Sequence, residues 1–110
     1  MAYSEKLIAA NEKMVNAYDF GSDSVEYKTA KAERLKVFAE VAMEIGEPAL
    51  AWESPYDSIM ESIYSHDNKE WIEEMLGDFK EMVDCLESIG YYAAKSWREE
   101  YEECKAAFTC

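Results

Sequence analysis

Apolar side chains recur at steps of three and four residues along nearly the whole chain, and no stretch alternates apolar with polar as a half-buried strand would. The expected fold is all-α, a single bundle of four or five helices. The first helix is expected over residues 4–18, with Leu7, Ile8, Met14, Val15 and Tyr18 on one stripe and Gly21 at its end, where a left-handed residue suits helix termination. Asp23 and Glu26 have the spacing of a capping box and open a second helix over residues 24–45, burying Val25, Leu35, Phe38, Ala42 and Ile45. Gly46-Glu47-Pro48 then breaks the pattern, because proline disfavours helical geometry in the residue before it, and a short connector carries Leu50 and Trp52.

Ser54-Pro55-Tyr56-Asp57 has the marks of a helix start: a hydroxyl cap, proline where no amide partner is lost, and an acid in the first turn. A third helix is expected over residues 55–65, with Ile59, Met60 and Ile63 inward. Asp67 and Glu70 repeat the capping spacing and start a fourth, whose inward positions are Ile72, Met75, Phe79, Met82, Leu86 and Ile89. Ala94, Trp97, Tyr101, Cys104 and Phe108 resume the rhythm shifted by one residue. A turn at Gly90 would lay the two stripes together as a helical hairpin, whereas an unbroken helix would rotate the second stripe toward a partner chain. The turn is the expectation and the unbroken helix the alternative.

The 110 residues, 49 % apolar and 32 % charged, bound one compact domain spanning the chain, with no internal repeat. With 24 acidic residues against 11 basic ones the formal charge is -13, which argues against direct nucleic-acid binding and against an anionic membrane surface. The N-terminal stretch does not resemble a signal peptide and no apolar run approaches the roughly 20 residues of a bilayer span, so a cytoplasmic protein is expected. Cys85, Cys104 and Cys110 match neither a disulfide framework nor a zinc spacing; the first two read as core-lining residues and Cys110 as a tail thiol.

The acidity is concentrated. Residues 1–45 carry 8 acids and 6 bases, residues 46–110 carry 16 and 5, and Glu47 to Glu87 holds 12 acids against Lys69 and Lys80 alone. On the fourth helix Glu70, Glu74, Asp78 and Glu81 recur at steps of four, four and three, a ridge of carboxylates about 6 Å apart, with Glu73 and Asp84 beside it. Like charges so placed repel, so a contribution to stability does not explain them. Such a row resembles one strand of phosphates; because duplex DNA carries a charge for every roughly 1.7 Å of axis, a second row is required, and Glu53, Asp57 and Glu61 have the spacing to supply it. The competing reading is a solvated face that keeps the protein soluble.

Catalytic signatures are missing. His66 is the sole histidine, in a turn between helices; the di-iron Glu-x-x-His pair, the calcium-loop pattern and a phosphate-cradling glycine loop are all absent. No enzyme, cofactor or metal is therefore expected, and the run Glu99-Glu100-Tyr101-Glu102-Glu103 reads as a solvated face. Of the 15 aromatic residues, Tyr91, Tyr92, Trp97, Tyr101 and Phe108 crowd the end of the chain, and Tyr92, off the stripe, is the candidate contact anchor.

In size, acidity and helical character the chain is similar to the small inhibitors that phages deploy against restriction, CRISPR or transcription enzymes, and to small acidic immunity proteins. That resemblance is one of composition and carries no site residues across. The leading expectation is an inhibitor that mimics DNA and occludes a basic groove. Its rival is a structural helical protein that self-associates, as a homodimer for example, through the seam of its last two helices. A carboxylate-metal enzyme stands third.

Overall fold

The computed structural model describes residues 2–45 and 53–109, and side chains over 5–44 and 53–109. Among these residues five helices make the bundle: α1 (Ala2–Ala17), α2 (Val25–Ile45), α3 (Tyr56–Tyr64), α4 (Lys69–Ser88) and α5 (Ala94–Thr109), with a 3-10 turn at Tyr18–Phe20 after α1. The all-α bundle is as expected. Its shortest dimension is 18 Å, room for only two layers of helices about 10 Å across.

The long helix α4 is the centre. Ile72, Met75, Leu76, Phe79, Met82, Val83 and Leu86 are all buried, as the three-four periodicity requires, and only Ile89 of the expected stripe stays half-buried. Two clusters form around this face. One joins Ala32 of α2, Ile59 of α3 and Tyr101 and Cys104 of α5, with Met60 and Ile63 packed against it; the other joins Leu35 and Ala39 of α2 to Met82, Leu86 and Ala94. Phe79 and Tyr101 meet edge to face at 5.8 Å, the offset that ring quadrupoles favour.

The chain does turn at Gly90. Gly90 takes φ 71°, its N–H donates to the Glu87 carbonyl and the Tyr91 N–H reaches back to Leu86. These are the paired bonds of a Schellman ending. The α5 stripe thereby closes against α4 within one chain, so the seam available to a second copy in the unbroken-helix alternative is internal. The end of α3 has the same construction with a less suitable residue: His66 sits at φ 55°, its N–H donates to Ile63, and Asp67 N–H donates to Ser62. His66 is exposed and ends a helix.

Several local expectations are corrected. The caps shift by one residue: the hydroxyl of Ser24, not Asp23, accepts from Tyr27 N–H at 3.1 Å, and the Asn68 side chain, not Asp67, accepts from Glu70 N–H at 2.8 Å. Pro55 takes the N-cap position of α3 with no side-chain cap, and Ser54 instead donates to the Glu100 carboxylate at 2.8 Å. The α1 stripe splits. Ala10 is buried with Leu7 against Val37 and Val41, a small cluster of its own, while Ile8, Val15 and Tyr18 are more than half exposed. Near-equal steps of three and four drew Leu7 and Ile8 onto one line, but the helix can bury only one side of it. Phe38 is half-buried beneath the Arg34 guanidinium, 4.7 Å from its ring, and Val25 is also only half-buried. The Ile45 side chain, Gly46-Glu47-Pro48, Leu50, Trp52 and Cys110 lie outside the described residues.

Candidate interaction surface

Burying α4 against α2 brings the lysines of the first half of the chain to the acids of the second. Lys28 Nζ lies 3.2 Å from Glu61, Lys31 3.2 Å from Glu53, and Lys36 3.2 Å from Asp78 and 3.4 Å from Glu81. Across the α4–α5 hairpin, Arg98 bridges Asp84 and Glu87, and Lys80 holds Asp84 at 3.0 Å along the helix. Lys6 and Lys13 pair with Glu44 and Glu33. Seven of the 11 bases are thus engaged internally.

The ten expected contact residues therefore fall into groups. Glu53, Glu61, Glu81 and Asp84 each hold a cation of this same chain. Asp78 does not stand on the ridge: it is 8 % exposed and turned toward α2, because the α4 face it shares with Met75 and Met82 is the buried one. Burial pushes its carboxyl up to about 6 against the pull of Lys36, with Glu33 and Glu74 adding to the rise. Asp57, Glu70, Glu73 and Glu74 are exposed and take no salt bridge among the described residues. Tyr92 is 90 % exposed, in the turn before α5 rather than on it, its ring 4.9 Å from that of Tyr91, which in turn lies 5.2 Å from Trp97.

Two carboxylate patches that take no salt bridge among the described residues follow. One is the amino end of α4, where Glu70, Glu73 and Glu74 share the exposed side with Gly77; the helix dipole favours acids at that end and reduces the cost of grouping them. The other spans α3 and α5, where Asp57, Glu100 and Glu103 all bear on Cys104 and Glu99 and Glu102 face outward. Interaction with the Glu103 carboxylate pushes the Tyr56 hydroxyl up to about 12. In the sequence the α5 acids form only a solvated run; what joins them to Asp57 is tertiary, since α3 packs on α5.

The remaining chemistry is quiet. Burial pushes the Cys104 thiol up to about 12, with the surrounding carboxylates adding to it, and burial also raises Cys85; neither favours a thiolate. Among the described residues no group of three or more His, Cys, Asp or Glu is placed to hold a metal ion, and no helix is long and apolar enough to cross a membrane. No protein family, no curated protein and no solved structure matches the chain.

Proposed function

We propose that this chain is a non-enzymatic acidic inhibitor that docks into the basic groove of a nucleic-acid-processing protein and excludes its nucleic acid, as counter-defence inhibitors of phages do. The division of charge supports the reading. Lysines of α2 pair with Glu61, Glu53 and Asp78, whereas the carboxylates at the amino end of α4 and across α3 and α5 take no salt bridge among the described residues. A protein that needed charge only for solubility gains nothing from leaving like charges adjacent at i and i+4. A basic partner turns that repulsion into attraction, speeding encounter and suppressing wrong partners.

The contact differs from the simple double row of the sequence. Of Glu53, Asp57 and Glu61, only Asp57 stands without a cation, so the second set of charges in this reading comes from α5. Tyr92, beside Tyr91 and Trp97, is the aromatic anchor at the hairpin end of the bundle. The test is capture of partners from a bacterial lysate on the immobilised protein at low and high salt, with duplex DNA as competitor. Recovery of a DNA- or RNA-processing protein that DNA displaces is the expected result. Recovery of the chain's own copies alone, indifferent to DNA, overturns the proposal.

A further inference from the structure

The carboxyl end of α1, the start of α2 and the start of α4 enclose a pocket of about 260 Å³. Its walls are apolar: Ala17, Ala30 and the Trp71 indole, with Thr29, whose hydroxyl already donates to the Val25 carbonyl at 2.7 Å. Two carboxylates, Glu26 and Glu74, complete the lining, and neither takes a salt bridge among the described residues. Lys13 lines it as well; its ammonium is paired with Glu33 and also feels the Glu74 carboxylate, so an incoming cation shares Glu74 with it. An apolar cleft with an aromatic wall and two carboxylates that take no salt bridge among the described residues suits an apolar stem ending in a delocalised cation.

We infer that this pocket receives an arginine side chain of the basic partner, its guanidinium against Trp71 and between Glu26 and Glu74. Arginine suits it better than lysine, because a planar guanidinium stacks on an indole face and is shed from water at lower cost than an ammonium. The volume accommodates the stem and the head group together. Glu74 belongs to the acidic end of α4, so the pocket supplies that surface with a point of fixed register; the inference rests on the inhibitor reading for the identity of the partner, but not for the chemistry of the pocket.

The probe is N-acetyl-arginine amide, with N-acetyl-citrulline amide as the neutral isostere, each titrated into the full chain while the Trp71 indole N–H is followed by NMR. The indole resonance should shift saturably with the arginine probe and at least about tenfold more weakly with citrulline, and the Glu26→Gln/Glu74→Gln variant should weaken the arginine response by a similar factor. Both substitutions preserve shape, and an unchanged circular dichroism spectrum verifies the fold. Equal responses to the two probes, or an arginine response untouched by the double substitution, overturns the assignment. A lysate partner still displaced by DNA would then leave the acidic-face reading standing without the pocket, while arginine binding in the absence of any such partner would leave the pocket standing without that reading.

Discussion

Lys36 of α2 and Asp78 of α4 face each other across the main helix interface, Nζ to Oδ1 at 3.2 Å, with side chains only 21 % and 12 % exposed. The pair is lopsided. Burial lowers the lysine, but Asp78 and Glu81 outweigh that and raise it overall; on the aspartate burial wins, and its carboxyl lies near 6. The native chain then binds more protons than the unfolded one between the ordinary carboxylate range and about pH 6, so this group's contribution to stability falls as pH rises through that window and is level above it. Asp78→Asn removes the dependence. Relative to wild type, the variant should gain roughly 1–2 kcal/mol between about pH 4 and pH 7, a shift discounted for the solvent reaching the pair. Urea unfolding of both proteins at the two pH values measures it, and a pH-independent difference would refute it.

Lys28 presents the opposite problem, a lysine 4 % exposed whose carboxylate partner Glu61 stands largely in solvent. Glu61→Gln leaves that ammonium at the α2–α3 contact without its counter-charge and should cost about 1–3 kcal/mol. Replacing both partners, with Lys28→Met beside it, should recover most of the loss, since a buried cation without a partner is dearer than an apolar isostere. Denaturant midpoints of the single and double variants decide the point, and a double variant no better than the single one would show that the pair is not the cause.

The two helix endings offer a matched pair of substitutions. Gly90 and His66 occupy the same position in equivalent endings, at φ 71° and φ 55°, a region that costs a residue with a Cβ roughly 1 kcal/mol relative to glycine. Gly90→Ala should therefore destabilise by about that amount, and His66→Gly should stabilise by about 0.5–1 kcal/mol. Thermal melts at one pH suffice. A destabilised His66→Gly variant would assign the histidine a role beyond ending α3.

At the hairpin, Arg98 is hydrogen-bonded to Asp84 and Glu87 of α4, and these bonds hold both carboxyls below their usual range. Depressed carboxylates contribute stability above the ordinary carboxylate range and lose it as pH falls through their lowered values. Arg98→Ala should cost about 1 kcal/mol near pH 7, modest because the network is solvent-facing, and should flatten the acid limb of the stability profile. Unfolding curves from neutral pH down to about pH 3 measure both effects; an unchanged acid limb would place the acid sensitivity elsewhere.

What the chain reveals by itself follows how local each determinant is. The α4 stripe from Ile72 to Leu86 was legible because a helix with one buried face writes its periodicity in consecutive residues, and the break at Gly90 was legible because glycine is the residue that a left-handed ending favours. Helix caps are read to one residue at best: Ser24 and Asn68 took positions that Asp23 and Asp67 could equally have filled. The fate of the charges was not legible. Asp78 lies on an acidic repeat and also on the edge of the buried face, and only the approach of Lys36, 42 positions away in the chain, decides which pattern prevails. The grouping of Asp57 with Glu100 and Glu103 likewise depends on α3 crossing α5, which no local spacing records.

That distinction between compensated and uncompensated acids separates folding from binding experimentally. Charge reversals along the whole acidic stretch would strip Lys28, Lys31 and Lys36 of their partners and lose binding through loss of structure. Glu70→Gln/Glu73→Gln with Glu99→Gln/Glu102→Gln touches only exposed carboxylates without salt bridges, so the helical spectrum and the melting temperature should hold or rise, like-charge repulsion having been relieved. Association with the basic partner should weaken by about tenfold or more at low salt, chiefly through a slower on-rate, and by much less at high salt where both proteins are screened. Surface plasmon resonance against the captured partner across a salt series reads both rates. A folded quadruple variant whose association rate and salt dependence match wild type would mean that these four carboxylates face solvent in the complex.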